Sequence, residues 1–349
     1  MKRFFICAFT IIMSLLTALM GGCSCSGCIE KFPLVFENYF IGGGTNDATP
    51  GYYEKLTYTV KNENSYNDAL VKDKSITDKV AKYEYEGIYV TEFTVESSLP
   101  AGVETNLDVE GKSFYHLKTD LMLTSTYTVS GTYAEGYLNQ TTENGDVQYE
   151  EYVKSEIWFL QRGQSFAPVY STIEQKNTFL SIAESEANVN LSESTVKTTY
   201  NKSRFKFEKV INGKASTESH GYDYKMAIDN NQLLFALRNV EINKGGSFSL
   251  PTISPSYKSA QTLIAKNEYE DTKAFNVNGE QVSVATKNIS FNRNDTFNKG
   301  PAHYVVVQKS QSANLPYKSY MMQYASPLIA YGSFTSMGAL VYTLTNVAN

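Results

Sequence analysis

Cysteine is scarce in this chain of 349 residues, and its placement is informative: Cys7, Cys23, Cys25 and Cys28 all fall at the front. The remainder has none, which excludes a disulfide framework and leaves the fold to its hydrophobic core. The pair Cys25-x-x-Cys28 is followed by no helix signal of the kind a redox site would use. Tryptophan occurs once and histidine three times, as His116, His220 and His303. These histidines lie far apart and in no metal-binding spacing, so no metal is expected and each reads as a strand surface residue. No Gly-x-Ser-x-Gly elbow occurs; Gly332-Ser333-Phe334-Thr335-Ser336-Met337-Gly338 has the wrong spacing. Gly42-Gly43-Gly44-Thr45 has no following Gly-Lys-Ser/Thr, which excludes a phosphate loop. No basic patch stands out and the formal charge is −5, which argues against nucleic acid as a partner. Glu150-Glu151 and Glu268, Glu270 and Asp271 offer carboxylates, but acid–base work needs two at a defined separation, and in sequence they read as charges on strand edges. A non-catalytic protein without a cofactor is the expectation.

The front of the chain is of a different kind. Lys2 and Arg3 precede a run from Phe4 to Met20 that is apolar with few interruptions, and small residues follow at once. That is the pattern of a secretory signal, residues 1–22, which takes no part in the fold. It is short for a spanning helix, which needs about 20 apolar residues. The junction Leu19-Met20-Gly21-Gly22-Cys23 resembles the lipobox of bacterial lipoproteins, with Met20 where leucine is usual. The resemblance implies lipidation of Cys23, with Cys25 the poorer candidate, and attachment to the outside of a bacterial membrane; buried acyl CH2 groups at about 0.8 kcal/mol each hold a soluble domain there. Losing Lys2 and Arg3 takes the charge from −5 to −7. Residues 23–50 read as a flexible tether, closed by Thr49-Pro50-Gly51.

Residues 51–349 read as a single β-rich domain. Tyrosine is abundant, at 26, and Thr, Val and Phe are frequent; these side chains suit a pleated, half-buried surface. Apolar residues alternate from Leu56 to Val60, and strands are expected at Tyr83–Val95 with a bend at Gly87, at Phe114–Ser130, Tyr152–Leu160 and Val169–Ile173. Residues 97–112 and 183–194 read as loops, and 139–148 as a hairpin tip around Asn144-Gly145. Asn212-Gly213 and Asn278-Gly279 are two-residue hairpin signals, the first closed by Tyr222–Met226. Tyr304–Val307 reads as a strand buried on both faces, with Thr262–Tyr269, Tyr320–Tyr324 and Leu340–Leu344 also extended and Pro316 at an edge or in a loop. One helix is expected over 230–240, capped by Asp229 or Asn230, with Leu233, Leu234, Leu237 and Val240 on one face. It should lay that face on a sheet.

The order from Asp229 through Leu233, Leu234, Leu237-Arg238, Gly245-Gly246, Phe248 and Leu250 to Pro251 resembles a bacterial envelope family of unknown function, whose members form a half-open β-barrel like the lipoprotein-carrier proteins. Glu54–Val60 resembles its opening strand, and Leu315-Pro316, Gly332 and Leu340 its closing strands. The resemblance covers roughly 52–345. It implies a mainly β fold: a strongly curved antiparallel sheet, a half-open barrel, with one short helix packed on its concave face. It transfers no catalytic residues. Such a face would hold a lipid-like or hydrophobic small molecule, with Leu234 and Leu237 lining it and Arg238 gripping a carboxylate or headgroup; otherwise Arg238 makes an ion pair with the sheet. The other expectation is a structural or carbohydrate-binding surface protein with a filled core and an exposed stripe of Tyr83, Tyr85 and Tyr89; alternating tyrosines are also ordinary cross-strand packing.

Overall fold

The computed structural model describes residues 52–62, 66–67, 81–129, 146–162, 165–183, 186–222, 227–238, 242–255, 260–293, 303–308, 319–330 and 333–348. The signal, the tether with Cys23, Pro316, Val240 and the hairpin tip near Asn144 lie outside them.

The fold is mainly β. The strands are β1 (Tyr53–Asn62), β2 (Tyr66–Asn67), β3 (Ala81–Glu96), β4 (Phe114–Val129), β5 (Asp146–Arg162), β6 (Ser165–Ala183), β7 (Glu186–Tyr200) and β8 (Arg204–Ile211). There follow β9 (Lys214–Gly221), β10 (Ile228–Asp229), β11 (Ser247–Ile253), β12 (Gln261–Val277), β13 (Glu280–Arg293), β14 (His303–Gln308), β15 (Ser319–Ala330) and β16 (Ser333–Ala348). All belong to one sheet. Its order runs from β10 through β16, then to β1, β3 and on to β9, with β2 attached to β3 off this path. Among the described residues the sheet therefore keeps two ends and is not a closed barrel. Pairing is antiparallel throughout, except where β10 lies parallel to β11.

Several strands outrun their sequence signals. Residues 186–194 are strand, not loop: β6 and β7 form a continuous ladder from Tyr170↔Thr199 to Ala183↔Glu186. Their polarity hid them, because a backbone ladder forms without any apolar alternation in the sequence. Gln261–Val277 is one continuous strand, running well past the expected Thr262–Tyr269. The partner of β8 is Lys214–Gly221, exposed along most of its length; residues 223–226, expected to close this unit, lie outside the described residues. Gly87 lies inside an unbroken β3, opposite Leu123. A Cβ there would come within 2.0 Å of the Met122 carbonyl oxygen, so only glycine permits this close pairing.

Both Asn-Gly turns form as expected, with positive φ at Asn212, Gly213, Asn278 and Gly279. Each asparagine also ties its hairpin to a further strand. Glu193 N donates to Asn212 Oδ1 at 2.9 Å. Asn278 Nδ2 donates to the Val347 carbonyl at 3.1 Å, and Val347 N donates to Asn278 Oδ1 at 2.9 Å. The tip of β12–β13 thereby reaches back to β16, four places along the sheet, which sets its strong curvature. Bulges at Thr57/Tyr58, Trp158/Phe159 and Asn267/Tyr269 add bend. The last also frees Asn267 N to donate to Gly246 O at 3.0 Å, while Gly245 N donates to Asn267 O at 2.7 Å, which docks the loop behind the helix.

The concave face carries the larger core, including Leu56, Tyr58, Val60, Phe93, Phe159, Phe248, Ile289, Val305 and Leu344. Val305, Val306 and Val307 are all buried, as the apolar run predicts. A second cluster gathers Phe114, Trp158, Val169, Tyr200, Phe205, Phe207 and Ile253. The segment between β3 and β4 is irregular, as expected, and Leu107 seals this cluster. Thr105 Oγ1 donates to Tyr200 O at 2.6 Å and fixes the segment in place.

Candidate functional site

The site is the helix on the concave face. It begins with a 3-10 turn at Asn230–Gln232 and continues as α1 (Leu233–Arg238), shorter than the expected 230–240. Asp229 is the cap: Asn231 N donates to Asp229 Oδ1 and Asp229 N donates to Gln232 Oε1, both at 2.8 Å. The helix is not amphipathic in the expected sense. Leu233, Phe235, Ala236, Leu237 and Arg238 are all buried and Leu234 is half-buried, because the sheet curls round the helix instead of lying flat beneath it. Phe235 is its main anchor. It stacks on Phe93 at 4.7 Å between centroids and meets Phe159 and Phe166 at 5.6 and 5.7 Å. Spacing had selected the leucines and passed over this ring.

Each end of the helix is pinned by a buried charge. At the front, Ser171 Oγ and Tyr200 OH both donate to Asp229 Oδ2 at 2.6 Å. Burial raises the Asp229 pKa, against the lowering effect of the Ser171, Tyr200 and Asn231 hydrogen bonds. Burial, with Asp229 beside it, pushes Tyr200 well up. At the back, Arg238 Nη2 donates to both carboxylate oxygens of Glu54, each at 2.8 Å. Burial opposes the Arg238 charge, but Glu54, together with Tyr58 and Tyr52, outweighs it and the pKa rises. The guanidinium also sits 5.3 Å over the Phe235 ring. Arg238 is thus committed to the sheet as a structural ion pair.

Beside the helix lies a shallow pocket lined by Tyr58, Tyr89, Thr91, Leu117, Asn231, Leu234, Phe235 and Arg238. Its volume is about 20 Å³, room for roughly one water molecule. Of the three residues proposed to line a ligand site, Leu234 and Arg238 border this pocket, whereas Leu237 is wholly buried in the core. Thr91 and Asn231 had no sequence signal. They belong to the pocket only because β3 passes the first turn of the helix.

Tyr85 and Tyr89 are half-buried against the core and form no exposed stripe; the side chain of Tyr83 lies outside the described residues. Burial pushes the Tyr89 pKa up to about 12. Of the histidines, His116 is buried rather than on the surface. It stacks on Trp158 at 3.9 Å, with Glu96 at 3.4 Å and Glu156 at 3.1 Å from its two ring nitrogens. Burial lowers its pKa despite those carboxylates. His220 meets Glu218 at 3.2 Å and His303 packs on Phe291. The carboxylates are tied within the sheet: Ser290 donates to Glu268 at 2.7 Å, Asn267 to Glu270 at 3.1 Å and Thr286 to Asp271 at 2.7 Å. Glu150 is exposed and Glu151 buried. Among the described residues no group of three His, Cys, Asp or Glu is placed to hold a metal, and no helix is long and apolar enough to cross a membrane.

No family model matches the chain, and no curated protein matches it. Among solved structures it is similar to a beta-barrel-like protein of domain of unknown function DUF1849 from Brucella abortus, with a TM-score of 0.42 and 10% identity over 86% of this chain and 98% of that one.

Proposed function

We propose that the protein is an extracytoplasmic lipoprotein held on a bacterial membrane through Cys23, and that its body is a non-catalytic structural or binding module that works through its outer surfaces. One observation carries this reading. Among the described residues the concave face is occupied by α1, pinned at Asp229 and at Arg238, and the pocket beside the helix holds about 20 Å³. A carbohydrate or protein partner would meet the outside of the sheet. The arrangement of Lys2, Arg3, the apolar run and Gly21-Gly22-Cys23 supports the anchor.

A second reading, a hydrophobic or lipid-like ligand in the half-barrel, is favoured by the half-buried Leu234 at the pocket. It requires α1 to shift, which breaks the Arg238–Glu54 pair. Two measurements separate these ideas. Labelled fatty acid should enter the wild-type chain and not Cys23→Ser; label retained by Cys23→Ser would remove the anchor from Cys23. Native mass spectrometry of Cys23→Ser, purified without detergent, should show the bare chain. A co-purifying lipid, lost on Leu234→Glu without unfolding, would establish the carrier reading instead.

A further inference from the structure

We propose that Asn278 is a modification site. It is protected from deamidation while it holds the β12–β13 hairpin against β16. Once the hairpin lifts, it converts to aspartate or isoaspartate and cannot latch again. The inference depends neither on the membrane anchor nor on the choice between the two readings above.

The first observation is the place of this asparagine in the sheet. β15 pairs with β16 as far as Met321↔Thr343. Next along β16, the Thr345 carbonyl accepts from Asn278 N at 2.9 Å. Asn278 Nδ2 then donates to the Val347 carbonyl at 3.1 Å, while Val347 N donates to Asn278 Oδ1 at 2.9 Å. An amide side chain carries the same donor and acceptor as a peptide unit. Asn278 thus stands in for a strand where the pairing with β15 has stopped. The hairpin it holds contributes Phe275, Val277 and Val284 to the larger core, together with Leu344 of β16.

The second observation is chemical. Asn278 precedes Gly279, and both have positive φ, 54° and 80°. Glycine has no Cβ, so its backbone nitrogen is unshielded towards the preceding side chain. In water, Gly279 N gives its proton to a base and attacks Asn278 Cγ. The N–Cγ bond forms as the Cγ–Nδ2 bond breaks, and Nδ2 takes up a proton and leaves as ammonia. Water then opens the cyclic imide, at Cγ to give aspartate or at the main-chain carbonyl to give isoaspartate. Residues 278–281 are exposed, so water and base reach the turn.

The third is protection by geometry. Attack requires the face of the side-chain amide to turn towards Gly279 N. With Nδ2 and Oδ1 both tied to Val347, that rotation breaks both bonds. The chain carries its own comparison. Asn212-Gly213 is the same dipeptide, equally exposed, with φ of 48° and 78°. Its Oδ1 accepts from Glu193 N at 2.9 Å, and among the described residues its Nδ2 has no partner. The products differ too. Aspartate at 212 still accepts from Glu193 N. Aspartate at 278 has no donor for the Val347 carbonyl and sets a negative charge against that oxygen, beside Glu280. Isoaspartate lengthens the backbone of the turn and carries the carboxylate out of register with Val347. Either product keeps the latch open.

The test uses the full chain as Cys23→Ser, aged in mildly alkaline buffer below its unfolding temperature. Peptide mapping by mass spectrometry follows asparagine, aspartate and isoaspartate at both sites. In the folded chain Asn212 should convert at least about tenfold faster than Asn278, and in urea the two rates should converge. Val347→Pro, which deletes the N–H that holds Oδ1, should speed conversion at Asn278 and leave Asn212 unchanged. For the consequence, Asn212→Gly leaves a single reactive site and keeps a residue that accepts positive φ. The aged product of that variant, separated by its added negative charge, should exchange the Val347 amide hydrogen at least about tenfold faster than the unaged chain. Equal rates at the two sites in the folded chain, or a faster Asn278, overturn the proposal. So does a product whose Val347 amide is as protected as before. Should Val347→Pro fail to fold, the comparison of the two sites in the otherwise unaltered chain decides by itself.

Discussion

The ion pair between Arg238 and Glu54 gives the sharpest test of how the helix is held. Their side chains are 5% and 1% exposed. Removing one partner leaves the other charge buried without compensation, which costs about 3–5 kcal/mol. Against a total stability of about 5–15 kcal/mol this is at least about a fifth of what holds the fold. Removing both is a different matter. Glu54→Leu with Arg238→Met fills the space with apolar groups and relieves the desolvation of two charges, and such exchanges are neutral or stabilising by about 1–4 kcal/mol. The loss of Arg238 over Phe235 subtracts about 1 kcal/mol from that gain. The single variants should therefore be badly destabilised and the double variant close to wild type, a strongly non-additive cycle. Urea unfolding followed by the fluorescence of Trp158, the sole tryptophan, provides the readout. Single substitutions that cost under about 1 kcal/mol, or a double variant whose loss is the sum of the two, would refute the idea that the pair pins the helix.

Three further outcomes are expected. The Asp229 carboxyl is raised in the folded protein, so its burial penalty sets in as pH climbs from the ordinary carboxylate range through the raised value. Asp229→Asn, which keeps a cap, should therefore gain stability relative to wild type as pH increases across that window in urea titrations; a flat difference would count against a buried ionising group. His116 is lowered by burial, so its protonation opposes folding, and stability should fall as pH drops from about 6.5 towards its folded value. Its ring proton, followed by NMR, should titrate below that of a free histidine, and a normal or raised midpoint would mean that Glu96 and Glu156 outweigh burial. Finally, Gly87→Ala forces a Cβ against the Met122 carbonyl and should cost about 1–3 kcal/mol in thermal or urea unfolding, whereas an unchanged midpoint would mean that β3 and β4 separate freely there.

Much of the architecture is local and was legible. Alternation from Leu56 to Val60 placed β1, the Asn-Gly pairs placed two hairpins, and Asp229 as a cap placed the start of the helix, because each signal is written in a few adjacent residues. The errors have a shared cause. Polar ribbons such as 186–194 are strands by virtue of their partners, which no alternation records. The burial of every side of α1 except Leu234 depends on how far the sheet curls round it, which spacing along a helix cannot express. Phe235, which anchors the helix, and Thr91, which lines the pocket, were silent for the same reason.

The sequence by itself determined that the chain is mainly β, with no cysteine in its body, where its tight turns fall, and that a short helix starts at Asp229. Those properties follow from side-chain shape, backbone freedom at glycine and asparagine, and capping, all of which act within a few residues. Only the tertiary structure decided what the polar groups do. Arg238 meets Glu54 across 184 positions, and Asp229 meets Ser171 across 58. Contacts of that range are fixed by sheet order and curvature, and these turned an arginine with the chemistry to grip a ligand into one that holds the helix in place.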